Sequence, residues 1–322
     1  MPTSEPTAPA GSEVDEPEER FCTVGDVEIC FSTFGDPEDP PLLLVMGLGF
    51  QMIAWPAAFC TQLAAAGFHV VRFDNRDAGR STHLRGAPTP ILRELALRRV
   101  AAPAYTLETM ADDAIGVLDH LGIGRAHVVG ASMGGMIAQT IAIRRPERVH
   151  SLVSIMSNTG SRRDGQPSAG LLPLLLSKPA RDRDGYVASG MRIGARTASP
   201  AYPGGEQELR TMLGRNWDRG VEPAGVARQL GAIIASGSRR AALPRLRVPT
   251  LVVHGTADRL VTPSGGRATA RAIPDADLLL VAGMGHDLPR GLWPRLVAAI
   301  AANAGRAQVD RRRGVLDRAD LG

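Results

Sequence analysis

The chain predicts an α/β fold, a mostly parallel sheet flanked by helices, with a helical cap inserted before the strand that leads to Asp258. Three observations predict it. Short, mostly apolar runs at Leu42–Met46, His69–Phe73, Ala126–Val129, Val149–Met156, Thr250–His254 and Asp277–Val281 have the length of strands buried on both faces. Segments of helical period separate the early runs, and strand alternating with helix is the pattern of a parallel sheet covered on both sides. The alternation stops over Ser157–Leu243, a stretch rich in Gly, Pro and Arg with no convincing strand. An insert of that kind between two sheet strands reads as a cap over a site.

In chain order, residues 1–20 are rich in Pro, Glu and Asp, and their composition is that of a disordered acidic tail. Phe21–Phe34 alternates around Gly25-Asp26 and predicts a hairpin. A two-residue turn there puts Cys22 opposite Ile29 and Cys30 opposite Phe21, so the two thiols face opposite sides and do not bridge. Pro56–Ala66 is helical and stops at Gly67, and Leu84–Tyr105 reads as a surface helix carrying Arg85, Arg93, Arg98 and Arg99. Between them, Asp74–Thr82 is a charged loop whose side chains are expected to hold its own backbone. Thr106 is placed to N-cap a helix with core residues at Leu107, Met110, Ala114, Leu118 and Leu121. Within the cap, helices are expected near Gly170–Leu176, Asp182–Ile193, Glu206–Trp217 and Pro223–Ala235. A further helix is expected from Pro263 and a closing one over Pro289–Ala302. The domains predicted are thus a core of residues 21–156 and 244–304, a cap of 157–243, and flexible ends at 1–20 and 305–322.

Composition narrows the function classes. Of the 37 basic residues all but Lys178 are arginine, giving a formal charge of +4 and a pI near 9.4. With aromatics at 4% and no basic-aromatic stripe, this reads as compositional bias, so no nucleic-acid partner is expected. Three cysteines supply neither a disulfide framework nor a metal-ligand spacing. Neither a secretory leader nor a membrane span is legible, so a cytoplasmic setting is expected. Monomer and homodimer stay equally open.

The chemistry centres on Gly130-Ala131-Ser132-Met133-Gly134, where a strand breaks and a helical period begins at once. Such a nucleophile elbow needs small residues at Gly130 and Gly134, because strand and helix approach closely while the serine hydroxyl is raised above the sheet edge. The Met133 N–H then lies at a helix N-terminus, where it can face an oxyanion. Met46-Gly47-Leu48-Gly49 is a second glycine-bearing strand exit, with Leu48 N–H the candidate partner donor and Gly47 the turn. A serine hydroxyl is protonated at neutral pH and needs a base and a group to orient that base. His286 follows the strand Asp277–Val281, and Asp258 follows Thr250–His254, so the order Ser, Asp, His falls at three strand exits. Asp287 and Asn158 are the alternatives for the acid. The other histidines, His254 among them, sit within strands, helices or unsupported segments.

These motifs, with Gly255-Thr256-Ala257-Asp258 and Gly285-His286, resemble the α/β-hydrolase fold superfamily. Phe34-Gly35-Asp36-Pro37 and Arg72–Thr82 are similar to the aclacinomycin methylesterase group and related actinobacterial esterases and lipases, over roughly Phe21–Ala302. Met46-Gly47 stands where His-Gly is commonest in the wider superfamily, and the methylesterase group shares it. The resemblance implies a serine esterase without metal or organic cofactor, acting on a small-molecule ester: Ser132 attacks, His286 takes the proton, Asp258 orients the imidazole, and the Leu48 and Met133 amides hold the oxyanion. A methylesterase for a bulky apolar substrate is its narrower form. Thioesterase, lactonase and cofactor-free perhydrolase share the triad, and a non-catalytic ligand-binding protein on the same fold is the alternative of another class.

Overall fold

The computed structural model describes residues 15–171 and 179–319. The strands are β1 (Arg20–Val24), β2 (Val27–Phe34), β3 (Pro41–Val45), β4 (His69–Phe73), β5 (Ala126–Ala131), β6 (Val149–Ile155), β7 (Thr250–Gly255) and β8 (Asp277–Val281). The helices are α1 (Ala57–Ala65), α2 (Leu92–Leu97), α3 (Leu107–His120), α4 (Met133–Arg144), α5 (Arg183–Thr197), α6 (Glu206–Arg219), α7 (Pro223–Ser236), α8 (Ser264–Ala272) and α9 (Trp293–Ala319). One eight-stranded sheet runs in the order β1-β2-β4-β3-β5-β6-β7-β8. The β1–β2 and β2–β4 pairs are antiparallel and every other pair is parallel.

Period-two alternation inside continuous apolar strands builds two cores. On β3, Leu43 and Val45 join α3 and α4 residues such as Leu107, Met110, Ile137 and Ile141 on one face. Leu42 and Leu44 face the other way, against Phe59 and Leu63 of α1 and Trp293, Leu296 and Ile300 of α9. A sheet buried on both faces in this way leaves its strand ends as the place for chemistry. The hairpin register is the expected one, Cys22 opposite Ile29 and Phe21 opposite Cys30, and all three thiols are free and buried. Thr106 caps α3, its hydroxyl accepting from the Thr109 N–H.

Three segments differ from the sequence expectation, and a fourth is described only at its start. Only Leu92–Leu97 of the span 84–105 is helical: Pro88, Pro90 and Pro103 interrupt it, and Arg98 ends α2 in the left-handed region at φ 50°. The expected helix at Gly170–Leu176 begins as a 3-10 turn at Ala169–Leu171, and the rest lies outside the described residues. The closing helix runs past Ala302 to Ala319; just beyond Ala302, Asn303, Ala304 and Ala307 are buried and Arg306 pairs with Asp277. Residues 320–322 of the expected flexible end lie outside the described residues, as do 1–14 of the acidic one. Within the remainder of the latter, Glu16 pairs with Arg72 and Arg215, Glu19 pairs with Arg80 and Arg219, and Arg20 opens β1. Those carboxylates meet arginines that β4, the loop after it and α6 present together. No helix among the described residues is long and apolar enough to cross a membrane.

Candidate active site

The elbow between β5 and α4 is as tight as its glycines require. Ser132 sits at φ 56°, ψ −120°, a strained conformation for a residue with a side chain. A Cβ on Gly130 would lie closer than 3.0 Å to the Gly134 carbonyl and the Gly135 amide nitrogen, and one on Gly134 equally close to the Val45 and Met46 carbonyls. Backbone cannot yield there as a flexible side chain does. Ser132 N–H donates to the Ile155 carbonyl at 2.9 Å, and the Ser157 hydroxyl donates to the Ser132 carbonyl at 2.8 Å, locking the turn to the end of β6.

Three strand exits converge on this hydroxyl. His286 Nε2 lies 3.0 Å from Ser132 Oγ, and His286 Nδ1 lies 2.8 Å from Asp258 Oδ2. The Leu260 and Val261 amides both donate to Asp258 Oδ1 at 2.9 Å, so each carboxylate oxygen is committed. Burial by itself raises the Asp258 carboxyl. The charge of His286 and the hydrogen bonds from two imidazoles outweigh it and hold the group down at about 2. A chain of this kind can take a proton from the hydroxyl and stabilise the imidazolium that results.

The candidate donors for an oxyanion lie at the neighbouring exits. Gly47 lies against Ser132, where an added Cβ would come to 3.0 Å from the Ser132 Cβ. Gly49 N–H is taken by Gln229 and Phe50 N–H by the Gly47 carbonyl. Among the described residues, neither the Leu48 N–H nor the Met133 N–H donates to a loop carbonyl or a side chain. The Asn75 side-chain amide donates to the Met46 carbonyl at 2.9 Å, and Asp74 accepts from the Met52 amide at 2.6 Å. The charged loop after β4 thus props up the Gly47 turn.

Two candidate acids lie elsewhere. Asp287 turns to the Ser199 hydroxyl, and its carboxyl is raised by burial. Asn158 is spent within its own loop, accepting from the Gly160 amide and donating to the Gly165 carbonyl.

Sequence reasoning missed two groups of residues here. His254, buried at the end of β7, brings Nε2 to 3.5 Å from Asp258 Oδ2 and 2.7 Å from the Val261 carbonyl, so Asp258 faces two imidazoles. The signal was the four-residue step from His254 across Gly255 to Asp258. The second group is the hold that the insert between β6 and β7 takes on the site. His286 N–H donates to the Thr197 carbonyl at 2.7 Å, and Gly285 N–H to Ser199 Oγ at 2.8 Å, so the end of α5 fixes the backbone of the histidine loop. On the opposite side Arg228 of α7 makes a paired ion contact with Asp77, and Arg219 of α6 pairs with Asp74. No periodicity marks such contacts.

The alpha/beta hydrolase fold model matches residues 40–289, a span that holds all three strand exits. The chain belongs to the α/β-hydrolase fold family. This hydrolase is 30% identical to rhodomycin D methylesterase of Streptomyces sp. strain C5, over 90% of its own length and 99% of that protein's. It is 29% identical, with the same coverage, to rhodomycin D methylesterase of Streptomyces peucetius. Among solved structures, the enol-lactonase from Burkholderia xenovorans superposes with a TM-score of 0.70 at 23% identity, covering 88% of the hydrolase and 99% of that chain. The last likeness is one of fold.

Proposed function

We propose that this hydrolase cleaves carboxylic esters through an acyl-enzyme on Ser132. His286 accepts the Ser132 proton as Oγ adds to the ester carbonyl, and the Leu48 and Met133 amides receive the oxyanion. The tetrahedral intermediate collapses with His286 protonating the departing alkoxide. Water, deprotonated by the same imidazole, then attacks the acyl group and frees Ser132. Asp258 keeps the Nδ1 proton in place throughout, so that Nε2 is the basic nitrogen. The observation that carries this reading is the hydrogen-bonded line from Ser132 Oγ through His286 to Asp258, at 3.0 and 2.8 Å, beside the first turn of α4. Relatives named as methylesterases at 30% and 29% identity support a methyl ester of a bulky apolar acid as the narrower substrate.

The test is labelling by a fluorophosphonate probe together with turnover of a panel of p-nitrophenyl and methyl esters. Labelling and turnover are expected to vanish in Ser132→Ala and to fall by orders of magnitude in His286→Ala. Tight binding of small ligands without labelling would make the chain a binding protein instead.

A further inference from the structure

A cleft of about 370 Å³ opens between α7 and α4, outside the triad and its oxyanion donors. Four arginines line it, Arg98, Arg162, Arg163 and Arg240, and Met136 and Ile233 give it an apolar wall. Elsewhere in the protein, guanidinium groups such as those of Arg76, Arg219 and Arg228 meet carboxylates at 2.6–2.8 Å. In the cleft, among the described residues, one carboxylate comes within reach of the four: Asp164, 4.0 Å from Arg240. Neutral acceptors occupy the rest of the bonding, with Arg162 donating to the Arg98 carbonyl at 2.6 Å and Arg98 to the Gln166 side chain. Four like charges brought together in a concavity with a single, distant counter-ion raise the local potential for an anion. Burial and the charge of Arg162 lower the Arg98 guanidinium from its ordinary value, as such crowding requires.

Two of the cleft's lining residues, Met136 and Asn158, neighbour the backbone of Ser132. Met136 lies one turn along α4 from Ser132, and its N–H donates to the Ser132 carbonyl at 3.3 Å. Asn158, another lining residue, directly follows Ser157, which donates to that same carbonyl. A volume of this size suits a small organic group with one apolar side and one anionic end.

We infer that the arginine-lined cleft between α7 and α4 binds the anionic end, a carboxylate, sulfate or phosphate, of an ester whose carbonyl sits at Ser132. This substrate class rests on the ester-hydrolase reading above; the anion site itself does not. Planar guanidinium groups recognise such oxyanions by paired hydrogen bonds.

Matched substrates test it: monomethyl succinate, adipate and suberate against methyl butyrate, hexanoate and octanoate, with kcat/KM measured for the wild type and for Arg98→Gln/Arg162→Gln. The wild type is expected to prefer at least one half-ester over its neutral partner. In the variant that preference should fall about tenfold, the worth of roughly two exposed ion pairs. Calorimetric titration of both proteins with inorganic sulfate, at constant ionic strength, separates the sources of the anion. Sulfate binding that the variant loses, with an unaltered ester preference, would keep the anion site and overturn the substrate class. An unaltered preference together with equal or absent sulfate binding in both proteins would overturn the inference altogether. Were no ester cleaved and Ser132 unlabelled by fluorophosphonate, the hydrolase reading would fall, and the sulfate titration would still decide whether the cleft takes anions.

Discussion

Replacing Asp258 by Asn tests the charge at the heart of the triad. Asn has nearly the same shape as the protonated acid, and its oxygen can still accept from the Leu260 and Val261 amides. Its NH2 group would then face His286 Nδ1, donor against donor, where Asp258 Oδ2 now stands 2.8 Å away. The imidazole relieves that clash by moving its proton to Nε2, which removes the lone pair that Ser132 Oγ needs 3.0 Å away. Loss of kcat by roughly three to four orders of magnitude follows, as for the same change in other serine triads. Stability gives a second magnitude. The carboxyl is held at about 2 against an ordinary value of 3.8, which corresponds to about 2 kcal/mol in favour of the charged form. Because the folded state depresses this group, its contribution is complete above pH 4 and is lost as pH falls through about 2. The variant should therefore be about 2 kcal/mol less stable at pH 7, with the gap closing toward pH 2. Urea titrations across that range, alongside p-nitrophenyl butyrate hydrolysis at pH 7–8, measure both. Activity within tenfold of the wild type, or a stability gap independent of pH, would refute the reasoning.

Three further outcomes follow from contacts already described. Gly134→Ala should lower stability by roughly 3 kcal/mol or leave the protein insoluble, since its Cβ would meet the Val45 and Met46 carbonyls; Gly124→Ala, with nothing within 4 Å of the added Cβ, is the control for the same urea titration. Ser199→Ala removes the acceptor for Gly285 N–H and the donor to Asp287, and should reduce kcat about tenfold with little change in KM. A fall in KM alone would contradict a role in holding the histidine loop. Burial first, and neighbouring carboxylates with it, raise the Cys22 thiol to about 11 and Cys30 to about 12; burial, against the pull of Arg72, raises Cys60 to about 12. Native protein at pH 8 should thus react slowly with a disulfide reagent and titrate three thiols in denaturant. These thiols stabilise the fold fully below pH 9 and progressively less as pH rises from 9 toward 12.

Elements that depend on local backbone rules were legible in the sequence, and those that depend on distant side chains were not. The strands His69–Phe73 and Asp277–Val281 fall where their apolar runs predict, and the two-residue hairpin has the predicted register. The span 84–105 shows the opposite case. Its apolar and basic residues suggested a helix, yet three prolines confine the helix to Leu92–Leu97. Glu16 and Glu19 had the composition of a disordered tail, and arginines far away in sequence gave them partners.

By itself the sequence determined the alternation that buries a parallel sheet on both faces, and the strand exits that carry Ser132, Asp258 and His286. Close approach of backbone to backbone at Gly130 and Gly134 admits only glycine, so that much is written locally. Tertiary structure alone decided the second imidazole at Asp258, the grip of Thr197 and Ser199 on the histidine loop, and the gathering of Arg98, Arg162, Arg163 and Arg240 in one cleft. Polar side chains can reach in many directions, and only the meeting of α5 with the histidine loop and of α7 with α3 selects which of those directions finds a partner.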